Sequence, residues 1–172
     1  MNKMLILIAT LFLAACGAAP DQTTPSSEPV KKAQGETATG QPSGIDVKVT
    51  RNGEALAAFK SPSDFSGVGA QLVKDHLSIE IMSPDNKWVL TIDVPGAKAG
   101  VFPLSGAKEA GKSTIILLGD DLFVRASAGE LKLNEASESF CSGTFTGTGT
   151  DTMGNKYSYE GKFSRVKVIR EE

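Results

Sequence analysis

From position 45 onward, apolar residues recur at every second position in one stretch after another. "LSIEIM" sets Leu77, Ile79 and Ile81 on one face, and "WVLTIDV" does the same for Trp88, Leu90, Ile92 and Val94. A period of two marks a strand with one buried face. "SPDNK" separates the two runs. With Asp85-Asn86 as a two-residue turn, Ile81 faces Leu90, Ile79 faces Ile92 and Leu77 faces Val94. Turn chemistry and alternation thus predict the same register. In "VKVTRNGEALAAF" the Asn52-Gly53 turn predicts Val49 opposite Leu56 and Val47 opposite Ala58. "DLFVRAS" and "ELKL", on either side of Ala128-Gly129, read as a further hairpin. "SPSDFSGVGAQLV" reads as a loop because of Gly67 and Gly69, with a short helix as the other reading. Elsewhere helical periodicity is absent.

The stretch "FCSGTFTGTGTDTMGNKYSYEGKFSRV" carries the most information. A three-residue loop Thr152-Met153-Gly154 puts glycine where the backbone must turn left-handed. Gly149 then faces Tyr157, Gly147 faces Tyr159, Phe145 faces Gly161 and Gly143 faces Phe163. Each glycine gains an aromatic partner, and a ring can cover the bare backbone of a strand glycine. Thr144, Thr146, Thr148 and Thr150 fall on the opposite, wet face. Beyond Phe163 the apolar positions become Val166 and Val168, a parity change that predicts a bulge near Ser164-Arg165.

The first residues follow a different pattern. A lysine precedes the apolar run "MLILIATLFL", which ends in "LAAC" at Cys16. This is the layout of a secretory signal, too short to span a bilayer. "LAAC" resembles the lipobox of bacterial lipoproteins. That resemblance implies a signal peptide over 1-15, lipidation (palmitate) of Cys16 and attachment to a membrane. Gly17 after the cysteine implies the outer membrane, facing the periplasm. Residues 16-44 contain four prolines and no aromatic residue, too little apolar surface to fold, and are expected to be a disordered tether. The domain is then 45-172.

Composition narrows the function. Eighteen basic against 20 acidic side chains leave a net charge of −2, which gives no electrostatic footprint for nucleic acid. With Cys16 lipidated, Cys141 has no partner in its own chain, so no disulfide framework is expected. On the apolar side of its strand, it reads as a small buried hydrophobe. "GAKEAGKST" matches the spacing of a phosphate-binding loop. That loop must lead into a helix N-terminus, whereas "STIILLGDDLF" reads as a strand ending in a turn, so no nucleotide is expected. His76 is the single histidine and lacks partners for a metal or a nucleophile. Asp120-Asp121 lacks the further oxygens a calcium site needs. The threonine row reads as an ordinary exposed strand face. No catalytic residue, metal or cofactor is expected. Trp88, Tyr157 and Tyr159 are the candidate ligand-binding residues, with core packing or glycine cover as their other reading.

"RNGEALAAF", "AGVFPL", "GELKL", "SGTF" and "EGKFSRVKV" together resemble uncharacterised bacterial lipoproteins with a single small all-β domain, over Asp46 to Val168. The resemblance implies a fold and no chemistry. The expectation is an all-β domain, an antiparallel β-sandwich or flattened barrel built from consecutive hairpins. Its function would be that of a membrane-anchored, non-catalytic envelope lipoprotein, a binding module for an envelope protein or glycan. The alternative is a small β-barrel carrying an apolar ligand.

Overall fold

A computed structural model describes residues 44–62 and 64–171. The expected signal peptide, Cys16 and most of the tether lie outside the described residues. The strands are β1 (Gly44–Arg51), β2 (Glu54–Ser61), β3 (Val68–Val73), β4 (His76–Met82), β5 (Val89–Pro95), β6 (Gly100–Pro103), β7 (Thr114–Gly119), β8 (Leu122–Arg125), β9 (Ala128–Ala136), β10 (Phe140–Thr150) and β11 (Lys156–Glu171). They form a single all-β sheet, ordered β6-β9-β10-β11-β3-β4-β5-β7-β8, with β1 and β2 branching from β11. The sheet curls strongly into a half-barrel, nearer to the expected flattened barrel than to a sandwich.

Two hairpins have the registers that alternation and turn chemistry predict. Leu77, Ile79 and Ile81 face Val94, Ile92 and Leu90 across β4 and β5. The turn places Asn86 at φ 58°, a conformation asparagine tolerates. In β10–β11, Gly143 faces Phe163, Phe145 faces Gly161, Gly147 faces Tyr159 and Gly149 faces Tyr157. Gly154 has φ +84° at the loop. The bulge forms at Ser164-Arg165: Arg165 has φ 55°, and its N–H donates to Ser142 Oγ at 2.9 Å. Val166 and Val168 turn inward as a result. β7 and β8 make a further hairpin, turning at Asp120-Asp121, where the sequence predicted a turn but no partner strand.

Asp151 is the hub of the β10–β11 turn. Its carboxylate accepts from the Met153 and Asn155 N–H groups, both at 2.9 Å, from Asn155 Nδ2 at 2.7 Å and from the Tyr157 hydroxyl at 2.9 Å. These bonds, led by those from Asn155, hold its pKa down from 3.8 to about 2. A carboxylate depressed on folding contributes stability above its unfolded value and loses it as pH falls through its folded one. The contribution is therefore lost between about pH 4 and about pH 2. Thermal midpoints measured across that range should fall less steeply for Asp151→Asn than for the wild type.

Four readings are corrected. Asn52-Gly53 does form the β1–β2 turn, but a bulge at Leu56 shifts the register beyond it. Val49 faces Ala57 and Val47 faces Phe59, in place of Leu56 and Ala58. The extra residue turns Phe59 into the core, where it is fully buried. The hairpin across Ala128-Gly129 does not form: β8 pairs with β7, and β9 with β10 and β6. Gly129, at φ +130°, marks a crossing of the chain between two parts of the sheet. The segment read as a loop contains β3, whose Ala70 and Leu72 are buried. Finally, β3 pairs in parallel with the end of β11, a long-range pairing that no local hairpin signal announces.

The two halves of the sheet share β11, a strand of 16 residues. Its first part pairs with β1 and β10, and its end with β3. Hydrogen bonds near β6 draw the curl inward: Ser113 N–H to Pro103 O and Ser105 N–H to Ser113 O, each 3.0 Å, and Leu104 N–H to Gly129 O at 2.9 Å. The enclosed core is one continuous cluster that includes Phe59, Ile79, Ile92, Leu117, Phe145, Tyr159 and Phe163.

Candidate functional site

Alternation turns Tyr157 and Tyr159 to the core side of β11, where they are 2% and 1% exposed. The Tyr157 hydroxyl is held by Asp151, and the Tyr159 hydroxyl donates to Val124 O at 3.3 Å, joining β11 to β8. Burial pushes both phenols up, aided at Tyr157 by Asp151. Trp88 lies over Gly119 of β7, where an added Cβ would sit 2.3 Å from the indole. The three candidate aromatics are thus occupied in packing. Trp88 covers a strand glycine on one part of the sheet, and the tyrosines fill the core on another.

Ring cover of glycines holds at two of the four pairs. A Cβ on Gly143 would meet the Phe163 ring at 2.6 Å, and one on Gly161 would meet the Phe145 ring at 2.6 Å. Gly147 lies instead against Leu104 and the Ala128 carbonyl, and Gly149 against the Arg125 carbonyl. Facing a residue across a strand pair differs from being covered by it. Tyr159 reaches over to β8, Tyr157 bonds to Asp151 in its own hairpin turn, and the β8–β9 crossing packs onto these bare positions.

What β10 and β11 turn outward is polar and open. Thr144, Thr146, Thr148 and Thr150 are exposed, as the alternation predicts. They border a shallow groove in three successive parts. One, of about 360 Å³, is lined by Thr50, Thr148, Thr150, Lys156 and Ser158, with Tyr157 at its edge. The next, of about 330 Å³, is lined by Thr146, Thr148, Ser158 and Glu160, with Tyr159 at its edge. The last, of about 350 Å³, is lined by Asp46, Lys48, Thr144, Thr146, Glu160 and Lys162. Neighbouring parts share residues, so the depression follows the strands for about 20 Å, at roughly 3.4 Å per residue. Its walls offer hydroxyls, ammonium groups and two carboxylates, Asp46 and Glu160, with no exposed apolar anchor. The groove uses the threonine row that the sequence singled out only as an exposed strand face. The missing signal was the outward parity of β1 and β11, which sets Lys48, Thr50, Ser158 and Glu160 beside it.

Cys141 is fully buried, and its thiol is pushed up to about 12, by burial first and by Glu135 second. A thiol is a nucleophile only as thiolate. Cys141 should therefore resist an aromatic disulfide reagent in the native protein and react stoichiometrically once urea unfolds it; rapid native labelling would contradict its packing. His76 Nε2 lies 3.8 Å from Asp93 Oδ1. Among the described residues, no group of three or more His, Cys, Asp or Glu is placed to hold a metal ion. "GAKEAGKST" forms a loop that leads straight into β7, so no helix N-terminus stands behind Lys112.

A scan against protein-family models found no match, and searches of curated proteins and of solved structures found none either.

Proposed function

We propose that this protein is a lipid-anchored, non-catalytic binding module of the bacterial cell envelope. Cys16 holds it to the membrane, and the groove along β10 and β11 receives a polar, extended partner. The observation that carries the anchoring is "LAAC" behind a short apolar run. Several acyl chains on one cysteine hold a protein firmly, since each buried CH₂ contributes about 0.8 kcal/mol. Residues 17-44 would leave the domain on a leash of up to about 90 Å when stretched. The groove supports a glycan strand over a protein partner. Protein interfaces centre on buried aromatic or aliphatic anchors, and this groove has hydroxyls and charges in their place. The interior supports binding on the outside, because bulky side chains such as Phe59, Phe145, Phe163 and Tyr159 fill it.

Metabolic labelling with a palmitate analogue tests the anchor. Wild type should carry the label and fractionate with membranes, whereas Cys16→Ala should lose the label. Unlabelled wild type, or a labelled Cys16→Ala, would refute the anchor. Sedimentation with insoluble envelope polysaccharide tests the groove: Thr146→Arg with Thr148→Arg should reduce co-sedimentation at least tenfold.

A further inference from the structure

The segment Gly106–Thr114 has a use that its resemblance to a nucleotide motif conceals. It borders a cavity of about 140 Å³ on a different part of the sheet from the groove. Four neighbouring strands supply the walls: His76 from β4, Asp93 from β5, Thr114 from β7 and Arg125 from β8. The loop adds Lys108 and Lys112. Three permanent cations therefore surround one carboxylate.

The carboxylate is already engaged. Asp93 Oδ2 accepts from Thr114 Oγ1 at 3.4 Å, and Oδ1 lies 3.8 Å from His76 Nε2. Arg125 donates Nη1–H to Gly106 O at 3.3 Å. That contact uses one of five guanidinium donors and ties the loop to β8. Within the loop, Glu109, which does not line the cavity, holds Lys112 Nζ at 2.7 Å and accepts from Ser105 Oγ. Those two partners, Lys112 first, keep its carboxyl below the usual range. Lys112 N–H also donates to Glu109 O at 3.2 Å, closing the turn. The loop thus presents its lysines from a hydrogen-bonded frame. Its volume equals about four or five liquid waters, enough for one phosphate-sized group.

We propose that this cavity binds a small oxyanion of the phosphate class, either the free ion or the phosphate of a monoester such as a lipid headgroup. Side chains bind it: Arg125 offers a planar fork for two oxygens, and Lys108 and Lys112 add point charges. No helix dipole or amide cradle is involved, so the site is unlike a nucleotide loop. The inference is independent of the groove and of the lipid anchor.

The test is calorimetry on the full chain in detergent at constant ionic strength, with inorganic phosphate and glycerol 3-phosphate as probes and chloride as the matched salt. Saturable one-to-one binding is expected, weakened at least tenfold by Arg125→Gln and likewise by Lys108→Gln with Lys112→Gln. Lys60→Gln, on β2, should leave it unchanged. Tighter inorganic phosphate identifies the free ion as the ligand; equal or tighter glycerol 3-phosphate identifies an ester headgroup. Circular dichroism checks that each variant is folded. Lack of saturation by either probe would overturn the proposal, as would affinity indifferent to the Arg125 and lysine changes in folded protein.

Discussion

Gly149→Ala is expected to destabilise the domain by about 3 kcal/mol, near the top of the range for overpacking a filled core. The added Cβ would lie 2.2 Å from the Arg125 carbonyl oxygen and 3.4 Å from the Ala126 Cα. Both obstacles are backbone, and backbone cannot choose another rotamer. That backbone is also fixed: Ser127 N–H donates to Thr148 O at 2.7 Å, and Ala126 N–H to Ile115 O at 2.9 Å. Relief therefore requires the β8–β9 crossing to lift off β10. Urea unfolding should show a lower midpoint for Gly149→Ala. Gly69→Ala is the control, because nothing lies within 4 Å of its added Cβ and its φ is ordinary. It should stay within about 0.5 kcal/mol of wild type. Gly161→Ala provides the contrast. Its obstacles are the ends of Phe145 and Val47, both at 2.6 Å, so Phe145→Leu should rescue it in part. No side-chain change of that kind should rescue Gly149→Ala.

Phe59→Ala should remove about 3–5 kcal/mol, the usual range for a buried ring truncated to alanine. Phe59 is fully buried, whereas Phe123 is 56% exposed and its truncation should change little. The result also tests the bulge in β2. In an unbulged ladder, Leu56 and Ala58 would face the core and Phe59 would face water. Leu56→Ala would then be the costly substitution and Phe59→Ala the mild one. The bulged register predicts the reverse order, measurable in one set of denaturation curves.

The fold was legible in the sequence wherever a short turn and an alternating pattern agreed. β4–β5 and β10–β11 are such cases, and the parity break after Phe163 revealed a bulge. Near Asn52 the turn was readable, but the bulge was not. Leu56, Ala57, Ala58 and Phe59 form an apolar run without clear alternation, so only the demand for Phe59 in the core selects the register. Contacts between distant segments left no local mark. The parallel pairing of β11 with β3 is one; the packing of the β8–β9 crossing on Gly147 and Gly149 is another. Gly129 looked like a turn because glycine permits many backbone shapes, and sequence alone does not say which is used. The outward threonines were readable, but their groove depends on β1 lying beside β11. The lysines of "GAKEAGKST" were conspicuous, yet the cavity they border needs four strands brought side by side.

The placement of β11 bears on how the chain reaches its native state. β1 and β3 both lean on a strand that the ribosome makes after every other described one. Until residues 156–171 emerge, the first hairpin has no neighbour and β3 has only β4. Pairings so distant in sequence fold slowly, because a long loop must close before any contact repays it. Synthesis from the N-terminus therefore leaves the two halves of the sheet unjoined until the last described strand is made.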